Sequence, residues 1–169
     1  VKPKIGKIRE SRDADTVSSR NIKGRSMLDL LIRNISETVE LSEADARSAL
    51  GVLLNAAERQ GAPFAETLFR KMPGSRTLSA STGDKIGAAT GVIARLIEQT
   101  PGGRRHVAAQ MISDLQEIGL GHREIGRLLP SVSSFLSEHF EITDVGHLGD
   151  LLGSDLDGAI TATTTTIAA

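Results

Sequence analysis

The stretch PGGRRH, residues 101–106, contains the residue types that come nearest to a binding site in this sequence. Gly102 and Gly103 at the start of a helix would leave backbone N–H groups open to a ligand. Arg104 and Arg105 would add positive charge that suits a phosphate or another anion. The spacing matches neither a P-loop nor a dinucleotide-binding fingerprint, so the competing interpretation is a solvated helix start preceded by glycine.

The sequence contains no recognisable catalytic or metal-binding pattern. It has no cysteine, which excludes disulfides, thiolate metal sites and cysteine nucleophiles. The four histidines lack the spacing of a zinc site, and no Gly-x-Ser-x-Gly elbow marks a serine nucleophile. These histidines are His106, His122, His139 and His147. We therefore predict no catalytic residue, no metal site and no cofactor, and we expect a protein that is not an enzyme.

The stretch GDKIGAATG places Gly83, Gly87 and Gly91 four residues apart. On one helix this spacing puts the three glycines on the same side, where another helix can approach closely. Glycine costs about 1 kcal/mol relative to alanine at a helical site, so a close contact should compensate for it. The charges of Asp84 and Lys85 argue against a membrane helix. We predict a helix-packing face at these glycines, within one subunit or between subunits.

The composition predicts an aliphatic core. The chain of 169 residues has no Trp or Tyr and only four Phe, so Leu, Ile, Val and Ala must fill the interior. The scarcity of aromatic rings argues against modules that bind single-stranded nucleic acid by stacking bases. No apolar run approaches the roughly 18–20 residues that a membrane span needs, and we expect a soluble, cytoplasmic protein.

Charge is distributed unevenly along the chain. Residues 1–26 carry eight Lys and Arg against three acids, a net charge of +5, so the remainder carries −6. The segment shows no lasting periodicity and is expected to be disordered. It begins with Val, and Met27 directly opens the first periodic stretch. The basic segment is therefore either a remnant upstream of the true domain or an arm that touches an acidic partner such as nucleic acid.

Apolar residues recur at three- and four-residue spacing from Met27 onward, which predicts an all-α bundle of about six to seven short helices. Ser42 is the expected N-cap of the second helix, and Pro130 either kinks a late helix or begins a new one. The predicted helices cover about 27–38, 43–59, 63–72, 84–99, 103–118, 121–129 and 144–152. Residues 131–140 either continue the helix over 121–129 past Pro130 or form the next one. The stretch 73–83, rich in Pro, Gly, Ser and Thr, is predicted to be a loop, and 154–169 a Thr/Ala-rich tail.

The helix predicted over 84–99 is expected to be amphipathic, with its apolar side facing the core. The inward residues would be Ile86, Val92, Ile93, Leu96 and Ile97.

A weak internal repeat suggests how the helical domain, 27–153, is organised. Residues 41–50 align with 120–129, and 68–72 then align with 148–152. The alignment predicts two related three-helix units, 27–72 and 120–153, joined by the loop and by connecting helices over 84–119.

The opening hairpin, MLDLLIRNISETVELSEADARSALGVLLN, resembles the N-terminal half of the histone-like nucleoid protein HU. The likeness covers about 33 residues and includes a Met-led helix, a Leu-Ser corner and an Ala/Leu second helix. The Gly-Phe-Gly strand turn and the basic β-arms with which that family bends DNA are missing. We therefore do not expect HU-like DNA bending.

A second resemblance covers most of residues 27–153. The corner LSEADARSALGVLL, the stretch LFRKMPG and the segment LQEIGLGHREIGRLLPSVSSFL resemble the bacterial VcgC/VcgE-type family of unknown function. The more charged middle, GGRRHVAAQ, and the lack of a leader peptide depart from that family. The resemblance implies a helical fold and carries over no catalytic residues. The most specific matching positions are Gly119, Leu120, Ile125, Pro130 and Phe135.

The sequence thus predicts a helical protein–protein interaction or scaffolding module. Its partner is an unknown protein or a second copy of the chain, and it has no membrane span. The alternative function is association with nucleic acid through the basic segment 1–26.

Overall fold

The computed structural model describes residues 26–89 and 91–143, which fold into seven α-helices without a β-strand. The predicted all-α bundle is confirmed. In chain order the helices are α1 Met27–Val39, α2 Glu43–Arg59, α3 Pro63–Lys71, α4 Ser75–Lys85, α5 Val92–Glu98, α6 Pro101–Glu117 and α7 His122–Phe140. The basic segment 1–25, the helix predicted over 144–152 and the Thr/Ala-rich tail lie outside the described residues.

The hairpin of α1 and α2 follows from local signals. The Ser42 hydroxyl accepts a hydrogen bond from the Asp45 backbone N–H at 3.1 Å, as the capping pattern predicts. Ser26 caps α1 in the same way by accepting from the Asp29 N–H at 3.2 Å. The Asp29 carboxylate also accepts from the Ser26 hydroxyl at 2.8 Å and from Arg47 on α2 at 2.8 Å. These contacts lower the pKa of Asp29, and the Ser26 hydroxyl has the largest effect.

Helix α2 lies at the centre of the bundle and packs against α1, α3, α4 and α6. Leu50, Leu53 and Leu54 are fully buried in it. Full burial of one such side chain contributes about 1.5–3 kcal/mol, so this helix organises the aliphatic core. Helix α7 packs against α1.

The predicted loop over 73–83 is wrong, because residues 75–85 form α4. The buried side of α4 consists of Ser75, Ser79, Thr82 and Gly83, which keep a helical spacing without being apolar. A search for apolar periodicity cannot find such a stripe. The helix is held by polar contacts with α2: the Ser79 hydroxyl donates to a Glu58 carboxylate oxygen at 2.7 Å. Asn55 donates to the Ser79 carbonyl at 3.3 Å.

The predicted helix over 84–99 is also wrong, and the three glycines of the predicted packing face do not lie on one helix. Helix α4 ends at Lys85 and α5 begins at Val92, with a turn between them. Gly87 and Gly91 lie in the turn with φ of 65° and 117°, a left-handed region that ends a helix. No atom lies within 4 Å of the place where a Cβ would stand on either residue. Gly83 alone packs closely, because a Cβ there would lie 3.3 Å from Cγ of Asn55.

Helix α7 continues through Pro130, so the proline lies inside one helix and does not begin a new one. Proline has no N–H, and the carbonyl four residues earlier therefore loses its helical partner. Residues 120–129 do follow a corner, like 41–50. However, they run on into a single helix that ends at Phe140, so 120–140 does not repeat the short helices of the first unit. The matching stretch 148–152 lies outside the described residues.

Candidate functional site

Helix α5 carries an exposed apolar surface, which we call the α5 apolar face. Within residues 26–89 and 91–143, its four members are the only large apolar side chains that are exposed. Val92 and Ile93 are each 76% exposed, Leu96 is 64% exposed and Ile97 is 61% exposed. Their spacing places them along one side of a two-turn helix.

The sequence analysis predicted these four residues to face inward, and that prediction is wrong. The pattern correctly indicates that one side of the helix is apolar, but it does not indicate what covers that side. In the structure the buried residue of α5 is Glu98 rather than an aliphatic residue. Ile86, which was predicted to share the inward face, lies in the turn directly after α4 and is half-buried.

Glu98 holds α5 against the end of α2 through a buried ion pair with Arg59. The Arg59 Nη2 and Nε atoms both donate to Oε1 of Glu98, at 2.6 Å and 2.9 Å. Each side chain is only 8% exposed, so the pair is shielded from water. Removing one member of such a pair leaves a buried charge without its partner, which is strongly destabilising. Oε2 of Glu98 is buried and has no hydrogen-bond partner.

Two further contacts fix α5 in place. Arg95 lies 3.4 Å from Oε1 of Glu58 on α2. Gly103 on α6 lies directly against the end of α5, because a Cβ there would stand 2.7 Å from Cα of Glu98. The apolar face therefore belongs to a helix that is docked on two neighbours rather than to a loose segment.

Three arginines lie on α5 or near the start of α6, the helix that packs against it. The side chain of Arg95 is 44% exposed. Arg104 is half-buried and Arg105 is exposed in the first turn of α6, which begins three residues after α5 ends. Two acids at this place, Glu58 on α2 and Glu98 on α5, are mostly buried and paired with arginines. We call Arg95, Arg104 and Arg105 the basic rim.

The residues of the predicted anion site, 102–105, lie at the start of α6. Several of their polar groups make contacts within the protein. The Thr100 hydroxyl accepts from the Gly103 N–H at 3.1 Å and so occupies a group that an anion would need. Gly103 is required by the close approach of α5 described above. Gly102 lies in open space, with no atom within 4 Å of a Cβ position. Gln60 donates to the Arg104 backbone carbonyl at 2.8 Å. The Arg104 side chain is half-buried, so Arg105 is the exposed cation of the pair.

A groove of about 480 Å³ lies between α1 and α7 beside Pro130. It is open and has a mixed polar and apolar lining, in which Ser131 donates to the Asn34 side-chain oxygen at 3.1 Å. Arg127 at its edge lies 3.2 Å from Glu40. This arrangement contains no nucleophile hydrogen-bonded to a base.

The histidines do not converge. His106 and His122 are exposed at the starts of two different helices, and His139 stacks on Phe135 at 4.1 Å. His147 lies outside the described residues. Among the residues that the structure describes, no group of three or more His, Asp or Glu side chains could hold a metal ion. No helix in this part of the chain is long and apolar enough to cross a membrane.

Comparison with known proteins finds no match: no family model, no curated protein and no solved structure is similar to this chain. The resemblances to HU and to the VcgC/VcgE-type family stay predictions from the sequence.

Proposed function

We propose that this protein is a non-enzymatic protein–protein interaction module that docks a partner on the α5 apolar face. The observation that supports this function is the exposure of four large aliphatic side chains on one docked helix. Large contiguous apolar patches on a protein surface mark interaction sites. A helix that were merely poorly packed would have no need of a buried ion pair to hold it.

The size of the face indicates what else the partner must supply. Burying the exposed fractions of its four side chains would contribute roughly 4–8 kcal/mol, scaled from the usual value for a whole aliphatic side chain. Association costs an estimated 4–15 kcal/mol or more in lost freedom, so the apolar contact alone gives weak binding. The basic rim offers the additional contacts, and acidic residues on the partner would complement it.

The partner that fits is therefore an acidic, amphipathic segment. A second copy of the chain fits less well, because a symmetric interface would bring two copies of the basic rim to the same border. The proposed role is that of an adaptor or scaffolding element.

The test compares three forms of the purified full chain as bait for proteins from the native cell. The first is the wild type, and the second carries Ile93→Asp with Leu96→Asp. The matched control carries Thr77→Asp with Ala80→Asp, which adds the same charge at exposed positions on α4. We expect a set of partners that the wild type and the control retain and the α5 variant loses, while circular dichroism shows an unchanged fold. Equal retention by all three forms, or by none, would contradict the proposal.

A second candidate function, association with nucleic acid, rests on the net charge of +5 in residues 1–26. Contacts between such a segment and phosphates release counterions, so affinity should fall linearly on a log–log plot against salt. The test is a salt titration of binding to duplex DNA by the full chain and by residues 27–169. Binding that survives removal of the segment, or that salt does not weaken, would exclude this function for the arm.

A further inference from the structure

We propose that residues 144–157 of the same chain bind the α5 apolar face and act as an intramolecular cover that a partner must displace. The inference rests on the proposed function, since it concerns the regulation of the same surface. Three observations support it: the chemistry of the segment, the charge of the rim and the place where the segment leaves the bundle.

The segment, DVGHLGDLLGSDLD, has the composition that the face requires. Five of its fourteen residues are aliphatic, four are aspartates, and none is Lys or Arg. The aliphatic residues Val145, Leu148 and Leu152 keep a helical spacing, with Leu151 beside them. An acidic, leucine-rich segment of this kind is what the proposed partner would present.

The charges are complementary. The segment carries a net charge of −4 at neutral pH with His147 neutral. The basic rim is formed by arginines, which pair well with carboxylates. At physiological ionic strength the Debye length is about 8 Å, so this attraction acts only when the segment lies close to the rim. The leucines of the segment would contact the α5 apolar face while its aspartates contact the basic rim.

The segment also leaves the bundle within reach of the face. Ile142 is 8% exposed, and Lys71 at the end of α3 donates to the Phe140 carbonyl at 3.0 Å. The other end of α3 follows Gly61, where a Cβ would stand 3.1 Å from the side chain of Gln99, the residue after α5. Helix α3 therefore lies between the two places.

The distances agree with this placement. The nine residues of α3 span about 13 Å at 1.5 Å per residue. Leu148 to Leu152 follow the last described residue, Thr143, by five to nine positions. An extended chain covers about 3.3 Å per residue, so these leucines reach roughly 17–30 Å. A short tether of this kind gives an effective concentration in the range of about 1 mM, at which even a weak contact is populated.

The chain's lack of cysteine allows a direct test on the full protein. Ser154→Cys provides one site for a nitroxide label, and the methyl groups of the face report its approach by NMR line broadening. We expect broadening at Ile93 and Leu96 but not at Ile32 on α1, with recovery when the nitroxide is reduced. The broadening should weaken as salt shortens the Debye length from about 10 Å to about 3 Å.

Two variants separate the specific contact from a general effect of charge. Leu151→Asp with Leu152→Asp in the labelled chain should abolish the broadening. The matched control, Thr163→Asp with Thr164→Asp, adds the same charge farther along and should keep it. Broadening that persists in the leucine variant, or no broadening of the face in the parent chain, would overturn the proposal.

A mixed sample distinguishes an intramolecular cover from a dimer. Spin-labelled protein without isotope label is mixed with methyl-labelled protein that has no nitroxide. Broadening of the face in this mixture would mean that the segment of a second copy binds there, which also overturns the proposal. Loss of partners in the Ile93→Asp, Leu96→Asp bait without any broadening would refute the cover and leave the proposed function standing. Broadening of the face, combined with partners that the Ile93→Asp, Leu96→Asp bait still retains, would refute the proposed function and leave the contact of the segment with the face standing.

Discussion

Gly51→Ala should destabilise the protein, although alanine is the better helix former. Gly51 lies on α2 where α4 crosses it, and a Cβ there would stand 3.0 Å from Cβ of Thr82 and closer still to its hydroxyl oxygen. Thr82 is only 8% exposed and has little room to move. Overpacking of this kind costs about 1–3 kcal/mol, and the gain in helix propensity returns about 1 kcal/mol. The net loss expected is about 1 kcal/mol.

Gly126→Ala is the matched control. Gly126 is an exposed residue inside α7, and no atom lies within 4 Å of its Cβ position. The same substitution should therefore stabilise the chain by up to about 1 kcal/mol, because only the propensity gain and the smaller entropy of the unfolded chain remain. The two variants should differ by about 1–3 kcal/mol, the cost of overpacking alone.

The measurement is urea unfolding followed by far-ultraviolet circular dichroism, since the chain has no Trp or Tyr for intrinsic fluorescence. A double-mutant cycle tests the cause. Thr82→Ala removes the hydroxyl and methyl groups, so Gly51→Ala should cost less in that background by at least about 0.5 kcal/mol. If Gly51→Ala stabilises the chain as much as the control, or if the two changes are additive, the close packing of α4 on α2 is refuted.

Three further predictions concern caps and charges. Ser42→Ala should lower the free energy of unfolding by about 0.5–2 kcal/mol, and an unchanged urea midpoint would contradict the cap. Glu98→Ala should cost about 3–5 kcal/mol because Arg59 is left buried and unpaired, whereas replacing both by Leu and Met should restore most of the stability. Asp29→Asn should make stability less sensitive to acid. The Ser26 hydroxyl lowers the pKa of Asp29 in the folded chain from its usual 3.8. The charge of Asp29 therefore contributes its full stabilisation above pH 3.8, and this contribution is lost as the pH falls through the lowered pKa. Unfolding midpoints at a series of acidic pH values measure the difference, and parallel curves for the two chains would refute it.

What the sequence predicts correctly depends on signals within a few residues. The first two helices and the Ser42 cap follow from apolar spacing and capping chemistry. Helix α4 could not be predicted in this way, because its small polar stripe is explained only by Gly51 and Asn55 on a different helix. The residues of α4 alone do not indicate that these partners lie on another helix.

The candidate site was missed for a related reason. Amphipathic spacing identifies an apolar side of α5 but cannot say whether the bundle or a partner covers it. The answer depends on the ion pair of Glu98 with Arg59, which is 39 residues away in the chain. The candidate anion residues were placed correctly at a helix start. Among them Gly103 has a packing role, because it admits the end of α5.

The polar interface of α4 has a consequence for the order in which the native state opens. Amides protected mainly by contacts between small polar side chains should exchange with solvent through a local transition of low free energy. The half-buried Leu78 is the main aliphatic contact of α4 with the core, whereas α2 beneath it is anchored by fully buried leucines. Deuterium should therefore enter α4 well before it enters α2. When α4 detaches, the chain on the N-terminal side of α5 is no longer anchored to the bundle. Helix α5 is then retained by its ion pair with Arg59, by the contact of Arg95 with Glu58 and by α6, so the stability of α4 affects how firmly the α5 apolar face is presented.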